Sequence, residues 1–368
     1  MRFGILGAGV IGTIHARLIA SVPDEAATLA AVADTSAQAA RALADDHDCA
    51  ALSTVDDLVA RDDIDAVSVC LPSGLHAKAA VAALEAGKHV IIEKPIDITL
   101  AAADEIIAAE RRSGRAVTVI SQRRFQPGFR FAHDAAASGR LGRITLAMAE
   151  STFWRSQGYY DSDDWRGSLA VDGGGALMNQ GIHALDLVTW MLGEPVTVSA
   201  HSATLAHERI EVEDTLTASI RFASGALATL TATTGAYPDR PVRLTVAGTA
   251  GTAVVADERL AYLHTRDGES ADAESADGDK AAVAAAGESA DGESAGAESA
   301  AAGDDALREA SAPLHIDEAH RAQYLDFLAA VRDGRPPLVT TADGRRALAL
   351  VLASYESARN DGRPVRVG

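Results

Sequence analysis

The sequence of 368 residues is poor in cysteine and in positive charge. Its two cysteines, Cys49 and Cys70, are too few for a disulfide framework or a cysteine-based metal cluster, and we predict that the protein binds no metal. The net charge of −19 opposes binding to a nucleic-acid backbone or to an anionic membrane surface, so we expect neither as a partner. The first residues, MRFGILGAG, do not resemble a signal peptide, and no charge-free apolar run reaches membrane-spanning length. A cytoplasmic location is therefore predicted.

The chain has more residues than one hydrophobic core typically serves, which predicts two domains. Residues 1–122 alternate short apolar runs with helical segments, the pattern of an α/β domain with a doubly wound parallel sheet of the Rossmann type. Residues 123–368 contain successive strand-like runs with short glycine-containing turns. This part is predicted to form an α+β domain with a large, mostly antiparallel open sheet, one face of which could pack on a second subunit.

A repetitive acidic segment interrupts the second domain at about residues 266–311. Residues 267–305 contain 12 Asp or Glu residues and one Lys, so this segment accounts for −11 of the net charge. The repeats Gly-Glu-Ser-Ala and Ala-Glu-Ser-Ala contain no aromatic residue and almost no branched apolar residue. Such a composition cannot bury enough surface to offset its ordering entropy, and the segment is predicted to be a disordered surface insertion.

A glycine-rich loop follows the first predicted strand. The motif GAGVIG comprises Gly7, Gly9, Val10, Ile11 and Gly12, which we predict to contact a dinucleotide. Asp34 ends the second strand 22 residues after the last of these glycines, at the place where a ribose-binding acid is expected. This carboxylate would repel a 2′-phosphate and no arginine follows it, so NAD is predicted in preference to NADP. The alternative is a structural turn with an acid nearby by chance.

Lys94 lies at the carboxyl end of the predicted strand HVIIEKP. In an open α/β sheet these strand ends line the ligand crevice, and Pro95 restricts the preceding lysine to extended conformations. Lys94 is therefore expected near the nicotinamide end of the cofactor, although a solvated charge is the simpler alternative.

A predicted apolar helix within residues 174–193, GGALMNQGIHALDLVTWMLG, carries three polar side chains. At about 100° per residue, Asn179, His183 and Asp186 form one stripe along it. A polar stripe usually faces water. Here the flanking positions are also apolar, so the helix is expected to be buried and the stripe to face a partner or a ligand.

Four motifs together resemble the Gfo/Idh/MocA oxidoreductases, NAD(P)-dependent dehydrogenases of sugars and polyols. They are GAGVIGTIHA (7–16), VCLPSGLHAKAAVAALEAGKHVIIEKPI (69–96), YYDSDDWRG (159–167) and GGGALMNQGIHALDL (173–187). The resemblance covers most of the chain except the acidic insertion. It implies a Rossmann domain followed by a substrate-binding and oligomerisation domain, with a homodimer or homotetramer formed through the second sheet.

The resemblance also implies roles for individual residues. His183 would act as general acid/base or orient the reacting hydroxyl, and Lys94 would contact substrate and cofactor. Asn179 occupies a position where many relatives carry Asp; an amide cannot share a proton with the histidine but can hold a sugar hydroxyl. Further cofactor-binding candidates are Pro72, His76, Glu93, Trp165 and Arg166. Further substrate-binding candidates are Arg123, for which a plain surface arginine is the alternative, and Tyr160, for which a tyrosine packed in the core is the alternative. His15 is assigned to helix packing.

These residues predict reversible hydride transfer between NAD and a hydroxyl-bearing carbon of a sugar, polyol or sugar derivative. His183 would take the hydroxyl proton, and Lys94 would stabilise negative charge developing on the oxygen. Two alternatives stay open: an NAD-binding sugar sensor without turnover, and an enzyme that cleaves glycosides through transient oxidation by NAD. Only the dehydrogenase would cause a net change in reduced cofactor when a sugar is added.

Overall fold

A computed structural model of the chain describes residues 1–23, 26–163, 165–266, 268, 270–272 and 306–368. Most of the predicted acidic insertion, residues 273–305, lies outside the described residues. At its two ends the chain is regular, with a strand at Ser270–Asp272 and a helix, α9, at 306–310.

The first domain is the predicted doubly wound parallel sheet. Its strands are β1 (Arg2–Leu6), β2 (Thr28–Ala33), β3 (Ala50–Leu52), β4 (Ala66–Val69), β5 (His89–Ile92) and β6 (Val117–Val119), in the order β3-β2-β1-β4-β5-β6. All of their pairings are parallel. The connecting helices are α1 (Val10–Ser21), α2 (Ala37–Asp46), α3 (Val55–Val59), α4 (His76–Glu85) and α5 (Leu100–Ser113), with a 3₁₀ turn at Ser73–Leu75. The central strands are almost entirely buried, as expected for a sheet covered on both faces.

The second domain contains nine strands in the described part of the chain, ordered β14-β13-β12-β11-β7-β10-β9-β8-β15. They are β7 (Ile144–Thr152), β8 (Pro195–Ala203), β9 (Thr215–Phe222), β10 (Leu227–Thr233), β11 (Arg243–Gly248), β12 (Gly251–Ala256), β13 (Arg259–Thr265), β14 (Ser270–Asp272) and β15 (Val365–Arg366). Only β7 and β10 pair in parallel, so the sheet is mostly antiparallel and the predicted fold class is confirmed.

Helices α6 (Pro127–Ala137) and α8 (Ile182–Leu192), with a π turn at Leu177–Gly181, pack on one face of this sheet. A 3₁₀ turn at Gln122–Phe125 and the short α7 (Gln157–Tyr160) lie in the same part of the chain. Of the two C-terminal helices, α11 (Thr341–Arg359) packs on β8, whereas α10 (Ile316–Asp333) packs on α1; each begins with a capping box. Strand β7 alternates buried and open positions, which leaves Met148 exposed on the uncovered face; Leu227 of β10 is exposed there as well.

Helix α10 returns to the first domain, although the sequence places it within the second. Its Tyr324 and Phe327 are fully buried in one apolar cluster with Phe3 and Ile5 of β1. The first strand and this C-terminal helix therefore build one core together. Within the described residues, no helix has the length and apolar character needed to cross a membrane.

Candidate active site

The three glycines of the first loop have distinct environments. Gly7 has φ of +101°, which disfavours any side chain, and a Cβ there would collide with the carbonyl oxygen of Cys70. A Cβ at Gly12 would collide with the carbonyl of Gly7, whereas one at Gly9 would meet nothing within 4 Å. The loop is thus tightly packed beneath and open at Gly9, where a pyrophosphate could approach the backbone at the start of α1. These residues fit a dinucleotide.

The other predicted cofactor contacts of this region border the open side of the loop. Val10 and Ile11, the first residues of α1, are 72% and 39% exposed, so this side of the loop is accessible. The carboxylate of Asp34 is anchored beside the loop, since its two oxygens accept hydrogen bonds from the N–H groups of Ala8 (2.8 Å) and Ser36 (2.7 Å). Each oxygen keeps a second lone pair for a ribose hydroxyl.

Replacing Asp34 with serine is expected to weaken NAD binding by about 10–100-fold, the range for losing hydrogen bonds to a charged group. Binding of NADP should weaken less, because the change removes a repulsive negative charge. Titration calorimetry with both cofactors measures this, with the exposed Asp46→Ser on α2 as the matched control. An unchanged preference between NAD and NADP would contradict the role assigned to Asp34.

Lys94 joins the two domains at the end of β5. Its Nζ donates a hydrogen bond to the main-chain oxygen of Asn179 at 2.8 Å. Burial lowers the pKa of Lys94 and the nearby charge of Arg155 lowers it further, while Glu93 and Asp172 oppose the shift. The predicted catalytic lysine and the segment that leads into the predicted histidine therefore meet, as a shared site requires.

The sequence pattern predicted one uniform α-helix for the segment that carries the polar stripe. The structure divides this segment into two parts. Residues Leu177–Gly181 form a π turn and α8 begins at Ile182. A π turn rotates less per residue than an α-helix and is often found at functional sites, so it changes which side chains share a face. Asp186 is not part of the site: Arg124 binds it in a buried bidentate ion pair, with distances of 2.8 and 2.6 Å.

Asn179 is held by a carboxylate that the sequence reading missed. Its Nδ2 donates to Oδ1 of Asp172 at 2.8 Å and to the oxygen of Gly174 at 3.2 Å. The other oxygen of Asp172 accepts from the N–H of Gly167 at 2.9 Å. Asp172 is only 4% exposed, and burial raises its pKa, although Lys94 and these hydrogen bonds oppose the shift. The only feature of the sequence that marked Asp172 was its place directly before the triple glycine.

His183 is half-buried, and its imidazole forms no hydrogen bond with any residue that the structure describes. Burial lowers its pKa well below the ordinary value, and the positive charges of Lys94 and Arg123 add to this effect. The neutral imidazole is therefore the dominant form near neutral pH. A neutral, unpartnered imidazole beside a cationic side chain can accept a proton from a substrate hydroxyl.

Arg123 borders the site but is already paired. Its guanidinium forms an ion pair with Glu258 and lies 6.0 Å from the ring centre of Phe153. The Nε atom is buried and has no partner among the residues described. Arg155, which the sequence reading did not select, lies 5.5 Å from the same ring, and no carboxylate in the described chain pairs with it. No motif marked this arginine in advance.

The remaining predicted contacts occupy structural positions. The hydroxyl of Tyr160 bonds to that of Thr234 at 2.8 Å inside the fold, so it does not face the site. Buried His76 contacts the carbonyls of Leu71 and Pro95, at 2.8 Å each, and thus anchors the loop that begins near Pro72.

Glu93 likewise faces inward, because its carboxylate is engaged by His15 and by the N–H of Lys94. Arg166 stacks on Trp165 (4.6 Å) and on Tyr159 (4.4 Å), and it pairs with Asp163. Trp165 and Arg166 thus form a half-buried pair in the loop before the triple glycine.

Comparisons with known proteins match both halves of the chain. Residues 1–121 match the model described as "Oxidoreductase family, NAD-binding Rossmann fold", and residues 129–254 match the Gfo/Idh/MocA C-terminal domain. The chain belongs to the Gfo/Idh/MocA oxidoreductase family.

Individual relatives agree with this family. Inositol 2-dehydrogenase of Rhizobium meliloti is 31% identical over 73% of this chain and 79% of the relative. Myo-inositol 2-dehydrogenase of Thermotoga maritima is 27% identical over 97% of this chain and 96% of the relative. The WlbA dehydrogenase of Bordetella pertussis, solved with NADH and UDP-GlcNAcA, is 29% identical with a TM-score of 0.81 and covers 100% of this chain and 98% of its own.

As a Gfo/Idh/MocA protein, the chain is an NAD-dependent oxidoreductase with an NAD-binding Rossmann domain. Its glycine loop would hold the pyrophosphate and Asp34 the ribose. The predicted family, cofactor and enzyme class are confirmed.

Proposed function

We propose that this protein transfers hydride reversibly between NAD and a hydroxyl-bearing carbon of an anionic sugar or polyol derivative. One observation carries the proposal: the ammonium of Lys94, from the first domain, binds the turn of the second domain that leads into His183. A general base and a cation at one cleft are what alcohol oxidation requires.

Three side chains of the protein have separate roles in this reaction. When bound, NAD supplies the hydride chemistry at C4 of its nicotinamide. His183 takes the proton that the substrate hydroxyl loses, since its depressed pKa keeps it neutral. Lys94 stabilises the negative charge that develops on the oxygen. Asn179, fixed by Asp172, keeps its carbonyl oxygen available to accept a hydrogen bond from a neighbouring hydroxyl.

The charges around the site favour an anionic substrate. Arg155 has no carboxylate partner in the part of the chain described, and its charge acts on Lys94. Arg123 approaches the same Phe153 ring and acts on His183. A carboxylate or phosphate on the substrate would pair with Arg155, because guanidinium groups bind such anions strongly. The WlbA neighbour was solved with a nucleotide-linked sugar acid, which supports this class.

Nicotinamide absorbance tests the function directly. The enzyme is incubated with NAD and a panel containing inositols, neutral hexoses, hexuronic acids and nucleotide sugars. Steady formation of reduced cofactor with at least one compound is expected. Binding of NAD without formation of reduced cofactor across the panel would indicate a sensor, and product release without net reduction would indicate glycoside cleavage.

Arg155→Gln is expected to lower kcat/KM for a hexuronic acid or nucleotide-linked sugar acid by about 10–100-fold, because a hydrogen bond to a charged group is lost. The value for the neutral parent sugar should stay the same. Steady-state kinetics with each pair of substrates measures the difference, and the exposed Arg143→Gln serves as the control. An equal loss for charged and neutral sugars would show that Arg155 does not select anions.

We also propose that the uncovered face of the second sheet forms a homo-oligomer. Met148 is 43% and Leu227 53% exposed there; Met148 lies opposite Thr229 and Thr245, and Leu227 lies opposite the exposed Arg221. Light scattering after size-exclusion chromatography is expected to show a dimer or tetramer, which Met148→Lys should weaken; a wild-type monomer would contradict the proposal. The cytoplasmic location and the absence of nucleic-acid and membrane partners stay predictions.

A further inference from the structure

A buried polar cluster adjoins Lys94 in the first domain. His15 of α1 is fully buried, with its Nε2 2.9 Å from Oε1 of Glu93. Its Nδ1 lies 2.7 Å from the hydroxyl of Ser68 and 2.8 Å from that of Tyr324 on α10. These two hydroxyls are 2.9 Å apart, so the imidazole is held from both sides.

The cluster ends at the proposed catalytic lysine. While Oε1 of Glu93 contacts His15, Oε2 accepts a hydrogen bond from the main-chain N–H of Lys94 at 3.0 Å. The carboxylate therefore connects the buried imidazole with the backbone of the lysine. A chain of four groups, Tyr324, His15, Glu93 and Lys94, leads from α10 to the active site.

Their pKa values favour the charged forms of both the imidazole and the carboxylate near neutral pH. Burial alone would lower the pKa of His15, but interactions with Cys70 and Glu93 outweigh it and raise the pKa to about 10. Burial would raise the pKa of Glu93, yet the hydrogen bond and charge of His15 hold it at about 2. Such a buried ion pair is costly to desolvate, so packing alone does not explain its presence.

We propose that His15 is a positioning residue: it holds the Glu93 carboxylate on the N–H of Lys94 and supplies the counter-charge that keeps the Lys94 ammonium on the turn before His183, where its remaining N–H groups can reach the substrate. The proposal rests on the proposed function of Lys94. Without the positive charge of His15, the unbalanced carboxylate of Glu93 would attract the adjacent ammonium and favour its charged form.

Other groups also act on these charges. Asp172 and Arg155 act on Lys94, while Cys70, His320 and Tyr324 face the pair of His15 and Glu93. The tests below leave all of these groups unchanged except Tyr324. A change in the pH midpoint of Lys94 can therefore be assigned to His15 and Glu93.

The test compares His15→Gln, which keeps a neutral donor, with Glu93→Gln, which removes the opposite charge. The pH dependence of Lys94 acylation by an amine-directed reagent is followed by peptide mass spectrometry, without any need for turnover. The midpoint is expected to rise in His15→Gln and to fall in Glu93→Gln. At the alkaline pH where lysine titrates, Glu93 remains ionised in the first variant, so the signs stay opposite.

Kinetics supply the second readout. In His15→Gln, kcat is expected to fall about 10–100-fold, as for other residues that orient a group in direct contact with substrate, with KM for NAD unchanged. Tyr324→Phe should change both readouts in the same direction by less, and it keeps the helix packing intact if His15→Gln fails to fold.

Thr118→Val is the matched control. Thr118 is also buried between the first domain and the C-terminal segment, where it bonds to Val339 (2.9 Å) and Gln323 (3.2 Å), but it does not lead to Lys94. This variant should lower the melting temperature and leave the Lys94 midpoint unchanged.

Equal midpoints in the wild type, His15→Gln and Glu93→Gln would overturn the proposal and leave His15 a packing residue. If the midpoints shift but no sugar is oxidised by the wild type, only the proposed function fails.

Discussion

Replacing His183 with asparagine is expected to lower kcat for sugar oxidation by about 10²–10⁴-fold, the usual contribution of a positioned general base. The amide can still donate and accept hydrogen bonds, but it cannot take the proton that leaves the hydroxyl. Binding of NAD should be unchanged, because the glycine loop and Asp34 lie in the other domain. Steady-state kinetics and cofactor titration of the same preparation measure the two effects.

The role of His183 also predicts how the oxidation rate depends on pH. Because the pKa of His183 is lowered, its base form persists through the neutral range, and the oxidation rate of the wild type should fall only in acid. The exposed His264→Asn is the matched control and should retain full activity. A His183→Asn enzyme with wild-type kcat would show that another group takes the proton.

Replacing Asp186 with asparagine is expected to lower the free energy of unfolding by about 3–5 kcal/mol, the range for leaving one partner of a buried ion pair uncompensated. The guanidinium of Arg124 is almost fully buried, and its other carboxylate contact, Asp343, lies at 3.5 Å. The protein that remains folded should keep its kcat, since Asp186 does not reach the active site. Urea denaturation and kinetics at low temperature measure stability and activity separately.

The exposed Asp45→Asn on α2 serves as the control and should leave stability unchanged. A large loss of kcat in folded Asp186→Asn would place Asp186 in the catalytic machinery, as the polar stripe first suggested. Together with His183→Asn, this variant separates two residues that a helical projection places on one face.

Much of the site could be predicted because its signals are local. The glycines of the first loop, Asp34 and Lys94 each follow a strand, and the carboxyl ends of parallel strands meet at one edge of a sheet. His183 was selected as a candidate because a polar side chain in an apolar helix needs a partner or a function. The resemblance to one family then placed these residues in a single site.

Other residues could not be predicted because their roles depend on contacts between distant segments. Asp172 and Arg155 lie in a loop without periodicity, and nothing local distinguishes them from solvated charges. His15 was assigned to packing, since its partners are 53, 78 and 309 residues away along the chain. Tyr160 looked suited to a sugar, but burial turned its hydroxyl toward Thr234.

The amino-acid sequence by itself determined the two kinds of sheet, the dinucleotide loop and its acid, because strand periodicity and glycine geometry act over a few residues. Only the tertiary structure decided which polar side chains face the cleft. The π turn before α8 changes which side chains share a face of the helix, and the ion pair with Arg124 holds Asp186 in the core. Helix α10 places Tyr324 in the polar cluster next to Lys94. Each of these depends on the relative placement of distant elements, which local patterns do not specify.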